Sequence, residues 1–253
     1  MIRILHLSDL HFHRSESDNV IILTTLEQIA SNYPQHHILI TGDITDDGHE
    51  TQYQNAQSAL ERFRGRLSLV PGNHDYGPFG NFYDETCATL FDRYLAIPFQ
   101  NAPFAEGSVP IANTLETASE KVLLIGLNST LRTVAPFDFA CGEVGGAQRA
   151  MLAELLSNPA NQDCIKIVAL HHHPLYHHPF FRLLDGDDLM RIVVGRIEVL
   201  AFGHKHVAAL WPGGAGIPWI VAAENSPGRA TVREIAVEKR RIEVRDVPVG
   251  ISP

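Results

Sequence analysis

Cysteine is scarce: Cys87, Cys141 and Cys164 are the only three in 253 residues, widely spaced and never in a CxxC pair. An odd, scattered set excludes a disulfide framework or a cysteine zinc site as the organising element. Charge is modest too, at 19% of residues, with 20 basic against 29 acidic and a formal net charge of −9. That balance speaks against extended nucleic acid as a partner. A nucleotide or other small phosphate ester is not excluded, because bound cations would dominate the local field. No apolar run approaches the roughly 18–20 residues needed for a membrane span. Repeats, low-complexity tracts and Ser/Gly linkers are absent, so a single domain over 1–253 is expected. The opening residues MIRILHL read as a first strand. They lack the basic start, apolar stretch and small-residue cleavage site of a leader, which makes the cytoplasm the expected location.

What the chain has in abundance is histidine, fourteen in all, many beside Asp, Asn or Gly in short motifs. Around them, short β-rich runs alternate with helical patterns. Strands are expected over 2–8, 37–41, 67–70, 121–127, 165–171 and 197–202, and helices over 18–32, 50–64 and 145–157. In the last of these, Met151, Leu152, Leu155 and Leu156 fall on one stripe. From about Val207 the pattern changes to short strands (219–222, 230–236, 241–247) between turn-rich pieces. These are expected to be antiparallel and to complete a second sheet, giving an α/β fold. The stretch 76–120 is the least regular and holds Phe79, Phe82, Tyr83, Phe91, Phe99 and Phe104. It is a candidate lid over a site.

Five polar motifs each follow an apolar run, so they belong at strand ends, where α/β folds place binding loops. They are Asp9-Leu10-His11, Gly42-Asp43-Ile44-Thr45-Asp46, Gly72-Asn73-His74-Asp75, His171-His172-His173-Pro174 and Gly203-His204-Lys205-His206. Carboxylate, imidazole and amide oxygen together make a mixed donor set suited to divalent manganese, iron or zinc. In Asp9-x-His11 and His204-x-His206 an extended backbone would send both side chains the same way. The glycines before Asp43, Asn73 and His204 let the chain turn sharply as it leaves a strand. Any one motif is weak, since a lone DxH or GNH arises by chance. All five, in this order and each after a strand, carry the weight.

In that order the motifs resemble those of the calcineurin-like metallophosphoesterases: D-x-H, GDxxD, GNH(D/E), a lone H, then GHxH. The match runs from Asp9 to His206, about four fifths of the chain, with no motif residue missing. The resemblance implies a four-layer α/β/β/α sandwich of two mixed sheets and a centre of two divalent metal ions. It implies Asp9, His11 and His206 as ligands of one metal, Asn73, His172 and His204 as ligands of the other, and Asp43 as the bridge. Within the histidine run the family places its ligand two residues before a proline, which selects His172 over His171 and His173. His74 resembles the residue that contacts the phosphate and protonates the leaving oxygen, with Asp46 orienting it. The implied reaction is attack of a metal-bridging hydroxide on a phosphate ester.

Chain length and the lack of extensions resemble the class III cyclic-nucleotide phosphodiesterases, making 3′,5′-cyclic AMP the leading substrate. Alternatives on the same centre are a phosphomonoester, a glycerophosphodiester or a lipid-linked pyrophosphate. A non-catalytic interaction scaffold is the alternative outside enzymology. A protein phosphatase would carry GDxxDRG, whereas Asp47-Gly48 follows Asp46 here. Oligomeric state is open, with a dimer contact conceivable at an edge strand or within 76–120. His6, His36, His37 and His49 fall outside the motifs and are expected to be structural. His13 is expected in an exposed loop, and His177 or His178 are lesser candidates for substrate contact. Asn128 and Gln148 fall where the family carries polar residues near the site.

Overall fold

Period-two alternation along the strands sorts the apolar side chains into three separate cores. The computed structural model describes residues 1–105, 109–130 and 140–250. Its first sheet contains β1 (Ile2–Leu7), β2 (His37–Thr41), β3 (Leu67–Val70), β10 (Thr231–Glu238) and β11 (Arg241–Pro248), ordered β11-β10-β1-β2-β3. The second contains β4 (Ile111–Glu116), β5 (Lys121–Gly126), β6 (Ile165–Ala169), β7 (Val199–Phe202), β8 (Ala209–Pro212) and β9 (Trp219–Ala222), ordered β4-β5-β6-β7-β9-β8. Both sheets are mixed. β1, β2 and β3 are parallel, as are β5, β6, β7 and β9, while β10, β11, β4 and β8 pair antiparallel.

Alternate residues explain the layering. On β2, Ile38 and Ile40 face one way, towards helices α1 (Val20–Asn32) and α2 (Glu50–Leu60), with Ile22, Leu26, Ile29, Tyr53 and Leu60. Leu39 between them faces the second sheet, in a core shared with Val122, Leu124, Ile167 and Val199. On β5, Leu123 and Ile125 turn outward instead, onto α5 (Gly146–Ser157) and α6 (Gly186–Val193) through Leu152, Leu156, Leu189 and Val193. The result is the four-layer α/β/β/α sandwich.

The C-terminal strands divide between the sheets rather than completing one. β9 is parallel to β7 in the second sheet, whereas β10 runs antiparallel to β1 and carries β11 into the first. The reason lies in β10: Ile235 and Val237 enter the inter-sheet core, and Val232 enters the helix-covered one. Buried on both faces, β10 needs a neighbour on each side, and β1 is otherwise an open edge.

The 76–120 stretch divides as well; residues 106–108 lie outside the described residues. Helices α3 (Glu85–Phe91) and α4 (Ile97–Gln100) bury Phe91 and Phe99 in the first core beside Phe104, and β4 is an edge strand of the second sheet. The turn around Phe79 and Phe82 stays open to solvent, at 76% and 49% exposure.

The histidines outside the motifs work for the scaffold. His6 Nε2 lies 2.8 Å from Thr41 Oγ1, His37 Nε2 lies 2.9 Å from Ser68 Oγ and His36 Nε2 lies 2.7 Å from Glu234. His49 caps α2: its Nδ1 accepts from Thr51 N, while Gln52 accepts from His49 N. All three cysteines are free thiols.

Candidate dinuclear metal centre

Five loops leaving β1, β2, β3, β6 and β7 at the same sandwich edge bring the motif residues together. Asp9, His11, Asp43 and Asn73 come from the first sheet, and His171, His204 and His206 from the second. The loops are tied backbone to backbone: Asp9 N donates to Gly42 O at 3.0 Å and His11 N to Asp43 O at 3.0 Å.

The local backbone is not extended. Asp9 (φ 54), His11 (φ 52), Asp43 (φ 49), His204 (φ 75) and His206 (φ 52) all lie in the left-handed region. Non-glycine residues seldom adopt it, and a cluster of them stores strain of about 1–3 kcal/mol each, a pattern found at functional sites. Each pair of side chains therefore converges through consecutive sharp turns, not through strand alternation. The preceding glycines act in two ways. Gly42 supplies a positive φ of 85, whereas a Cβ on Gly203 would stand 1.8 Å from Ser8 Oγ, so close approach demands that glycine.

Three groups of donors form among the described residues; Asp43 belongs to two of them, and His11, Asp46 and His74 make the third. Asp9, His11, Asp43 and His206 offer ligand atoms within 4.8 Å of one another, and so do Asp43, His171 and His204. In the first, His11 Nε2 and His206 Nε2 stand 3.4 Å apart. Asp9 Oδ1 is 3.1 Å from His206 Nε2 but has no hydrogen bond of acceptable alignment. In the second, His171 Nε2 is 3.1 Å from each of Asp43 Oδ2, Asn73 Oδ1 and His204 Nδ1. One imidazole N–H can serve only one of these three. Ligands about 2.0–2.1 Å from one ion stand roughly 2.8–3.4 Å apart at octahedral or tetrahedral angles, so this spacing suits a shared cation. The donor set fits two divalent ions.

The neighbouring groups fix the direction of each lone pair. His171 Nδ1–H donates to Thr41 O at 2.7 Å, which turns Nε2 into the group. Asn73 Nδ2 donates to Gly80 O at 3.1 Å and leaves Oδ1 facing His171. Burial raises the Asp43 carboxyl, but the opposing His171 charge and hydrogen bond, with His74 and His11, hold it well below the usual carboxylate range. Burial would lower His171, yet Asp43, Asp9 and the Thr41 carbonyl lift it to about 9. Burial lowers His204 to about 3, aided by the His171 charge.

The histidine selected within the run has to be corrected. His172 joins none of these groups: its Nδ1 lies 2.8 Å from Ser129 Oγ, and His171 occupies the position between Asp43, Asn73 and His204. Strand parity is the cause. Ala169 faces the inter-sheet core and Leu170 the outer one, so His171 continues towards the first sheet and His172 turns away.

Asp46 also acts differently from expectation. His74 Nδ1–H donates to the backbone carbonyl of Asp46 at 2.7 Å, while the Asp46 carboxylate points to His11 and His13, 3.6 and 3.5 Å away. His74 N donates to Asp43 Oδ1 at 3.0 Å, which ties this loop to the shared carboxylate. Asp75, not singled out in the sequence, is fully buried and accepts from Gly72 N, Thr45 N and Thr45 Oγ1, stapling two of the loops. Its signal was present: it is the acidic end of the GNH(D/E) motif. Asn128 and Gln148 form a buried clasp, with Asn128 N donating to Gln148 Oε1 and Gln148 Nε2 to Asn128 O.

The sequence profile of calcineurin-like phosphoesterases matches residues 2–208. The chain belongs to that family. This phosphoesterase is thereby a phosphoric ester hydrolase, and its family relies on a dinuclear metal centre. It is 23% identical over 218 residues to a probable cyclic nucleotide phosphodiesterase of Coxiella burnetii, covering 81% of this chain and 76% of that one. A 3′,5′-cyclic-nucleotide phosphodiesterase of Nostoc sp. is 24% identical over 219 residues, covering 81% and 71%. Among solved structures, the purple acid phosphatase of yellow lupin seeds superposes with a TM-score of 0.67 at 13% identity, covering 98% of the phosphoesterase and 51% of that chain. A Thermus thermophilus sulfate thiohydrolase gives 0.59 at 12%, covering 98% and 56%. The phosphoesterase thus spans about half the length of both solved chains, and at these identities the likeness is one of fold.

Proposed function

We infer that this phosphoesterase is a phosphodiesterase that holds two divalent ions, manganese, iron or zinc, and takes a small phosphodiester, foremost a 3′,5′-cyclic nucleotide. The observation carrying the reading is the Asp43 carboxylate shared by two donor groups. Asp9, His11, Asp43 and His206 would hold one ion, and Asp43, Asn73, His171 and His204 the other. When bound, such a pair supplies Lewis acidity to the phosphoryl oxygens and lowers the pKa of water.

The chain's own groups do the rest. His74, fixed through Nδ1–H to the Asp46 carbonyl, presents Nε2 as the atom to hold a phosphoryl oxygen or pass a proton to the leaving alkoxide. The Thr41 carbonyl and the Gly80 carbonyl keep His171 and Asn73 from rotating out of the group. The two cyclic-nucleotide phosphodiesterase relatives support the choice of a diester. No described helix is long and apolar enough to cross a membrane.

The test is hydrolysis of bis(p-nitrophenyl) phosphate and p-nitrophenyl phosphate by chelator-stripped protein with manganese added back. Manganese-dependent turnover favouring the diester is expected. A preference for the monoester would move the assignment to a phosphatase. No turnover with manganese, iron or zinc would favour a scaffold.

A further inference from the structure

Beside the metal centre, and touching it through His74, lies an open cleft of about 380 Å³ lined by His74, Phe79, Asn81, Ala140, Phe180 and Phe181. Three of the six are phenylalanines, and they are unusually exposed: 76% for Phe79, 48% for Phe180 and 43% for Phe181. Leaving so much apolar surface in water costs free energy that burial elsewhere would recover.

Both aromatic walls hang on residues of the centre. Phe79 is held at φ 59, a conformation a bulky side chain avoids. The glycine after it packs against the site: a Cβ on Gly80 would stand 2.3 Å from Asn73 Nδ2 and 2.7 Å from the His74 ring. With Asn73 Nδ2 donating to Gly80 O, the Phe79 turn is fixed to the phosphate-facing residues. On the other side, the Phe181 ring centroid lies 6.3 Å from that of His204 and 5.2 Å from that of His178. A substrate whose phosphorus sits at the centre can therefore project its organic part past His74 and between these rings.

We propose that this cleft is the nucleobase subsite, in which Phe79 and Phe181 stack the base and the Asn81 amide reads its edge. The inference rests on the phosphodiesterase reading above and adds the group that the centre itself does not recognise. Ring faces with one amide suit a planar heterocycle carrying donors and acceptors. An acyl chain would bury the Asn81 amide without a partner, a costly arrangement. The cleft lies at the low end of the roughly 300–1,000 Å³ range of small-ligand pockets. Among the described residues no lysine or arginine lines it, which leaves the phosphate to the metal centre.

Binding separates this inference from the turnover reading. Titration calorimetry on the manganese-loaded chain should compare adenosine 5′-monophosphate with ribose 5-phosphate, for wild type, Phe79→Ala and Phe79→Ala/Phe181→Ala. Adenosine monophosphate should bind about 10- to 100-fold more tightly, the range of base–aromatic stacking. That advantage should fall at least about fivefold in Phe79→Ala, whose exposed position keeps folding intact, and approach unity in the double variant. Equal binding of the two ligands, or an advantage that survives both variants, overturns the subsite even where bis(p-nitrophenyl) phosphate is hydrolysed. Tighter binding of dihexanoyl glycerophosphate than of adenosine monophosphate, lost in the same variants, also overturns it in favour of an acyl chain. A base-dependent advantage that disappears in the variants supports the subsite even where no diester is turned over, and only the turnover reading would then fail.

Discussion

Replacing His171 by alanine, beside the matching change at His172, separates the two neighbours most sharply. His171 Nε2 sits 3.1 Å from Asp43, Asn73 and His204, whereas His172 Nδ1 reaches Ser129 and its ring packs 4.6 Å from that of His204 without joining a donor group. Loss of a residue that only supports a ligand costs about 10–100-fold in metal affinity. Removing a ligand should therefore cost at least about 100-fold, or roughly 2.7 kcal/mol. His172→Ala should stay within about tenfold, the low end of the supporting range. The scaffold consequence of His171→Ala is contained, because Thr41 O still accepts from Ser8 Oγ at 3.0 Å. Chelator-stripped proteins would be titrated with manganese by calorimetry, and occupancy counted by mass spectrometry, with thermal melts as a check on folding. One ion per chain in His171→Ala and two in His172→Ala is the expected result. Two tightly held ions in His171→Ala, with one lost in His172→Ala, would refute the parity argument.

Three further outcomes follow from the same geometry. His74→Ala should keep both ions while turnover falls about 10²–10⁴-fold, the usual weight of a proton-transferring group; loss of metal would make His74 a ligand instead. Gly203→Ala forces a Cβ to 1.8 Å from Ser8 Oγ, so urea melts should show a loss of about 1–3 kcal/mol, and an unchanged midpoint would mean the loop yields freely. Desolvation, with Arg66 nearby, depresses half-buried His37 from 6.5 to about 4. The unfolded chain then binds the extra proton, so stability is lost as pH falls below 6.5 and the loss is complete below about 4. Between pH 7 and 5 this amounts to about 2 kcal/mol, which His37→Gln should remove from the wild-type pH dependence. An identical dependence in wild type and variant would show that His37 titrates normally.

Much of this architecture is written in the chain. The apolar runs before each motif mark β1, β2, β3, β6 and β7, because a strand buried on both faces must be continuously apolar. The order of the motifs then identifies the loops that meet. What the runs do not reveal is which face of a strand looks at which layer. The choice between His171 and His172 turns on Ala169 facing inward and Leu170 outward, and both residues are apolar. Placement of β10 and β11 likewise depends on pairing with β1, more than 220 residues away in the register Ile4 to Ile235. The hydrogen bond from His74 to the Asp46 carbonyl was illegible for another reason: a backbone oxygen carries no residue signature. The left-handed turns at Asp9, His11, Asp43, His204 and His206 lie in a region that any non-glycine residue adopts only a few per cent of the time, so propensity does not announce them.

Because each donor group that shares Asp43 draws ligands from both sheets, two bound cations would rivet the halves of the sandwich across their seam. Sliding one sheet against the other would then have to break coordination bonds as well as separate apolar surfaces. At a free metal concentration of 100 times Kd, one such ion adds about 2.7 kcal/mol to the folded state. A strained rim of loops would thus be tightened by the same ions it exists to hold, and a chelator would loosen the seam before it unfolded either sheet.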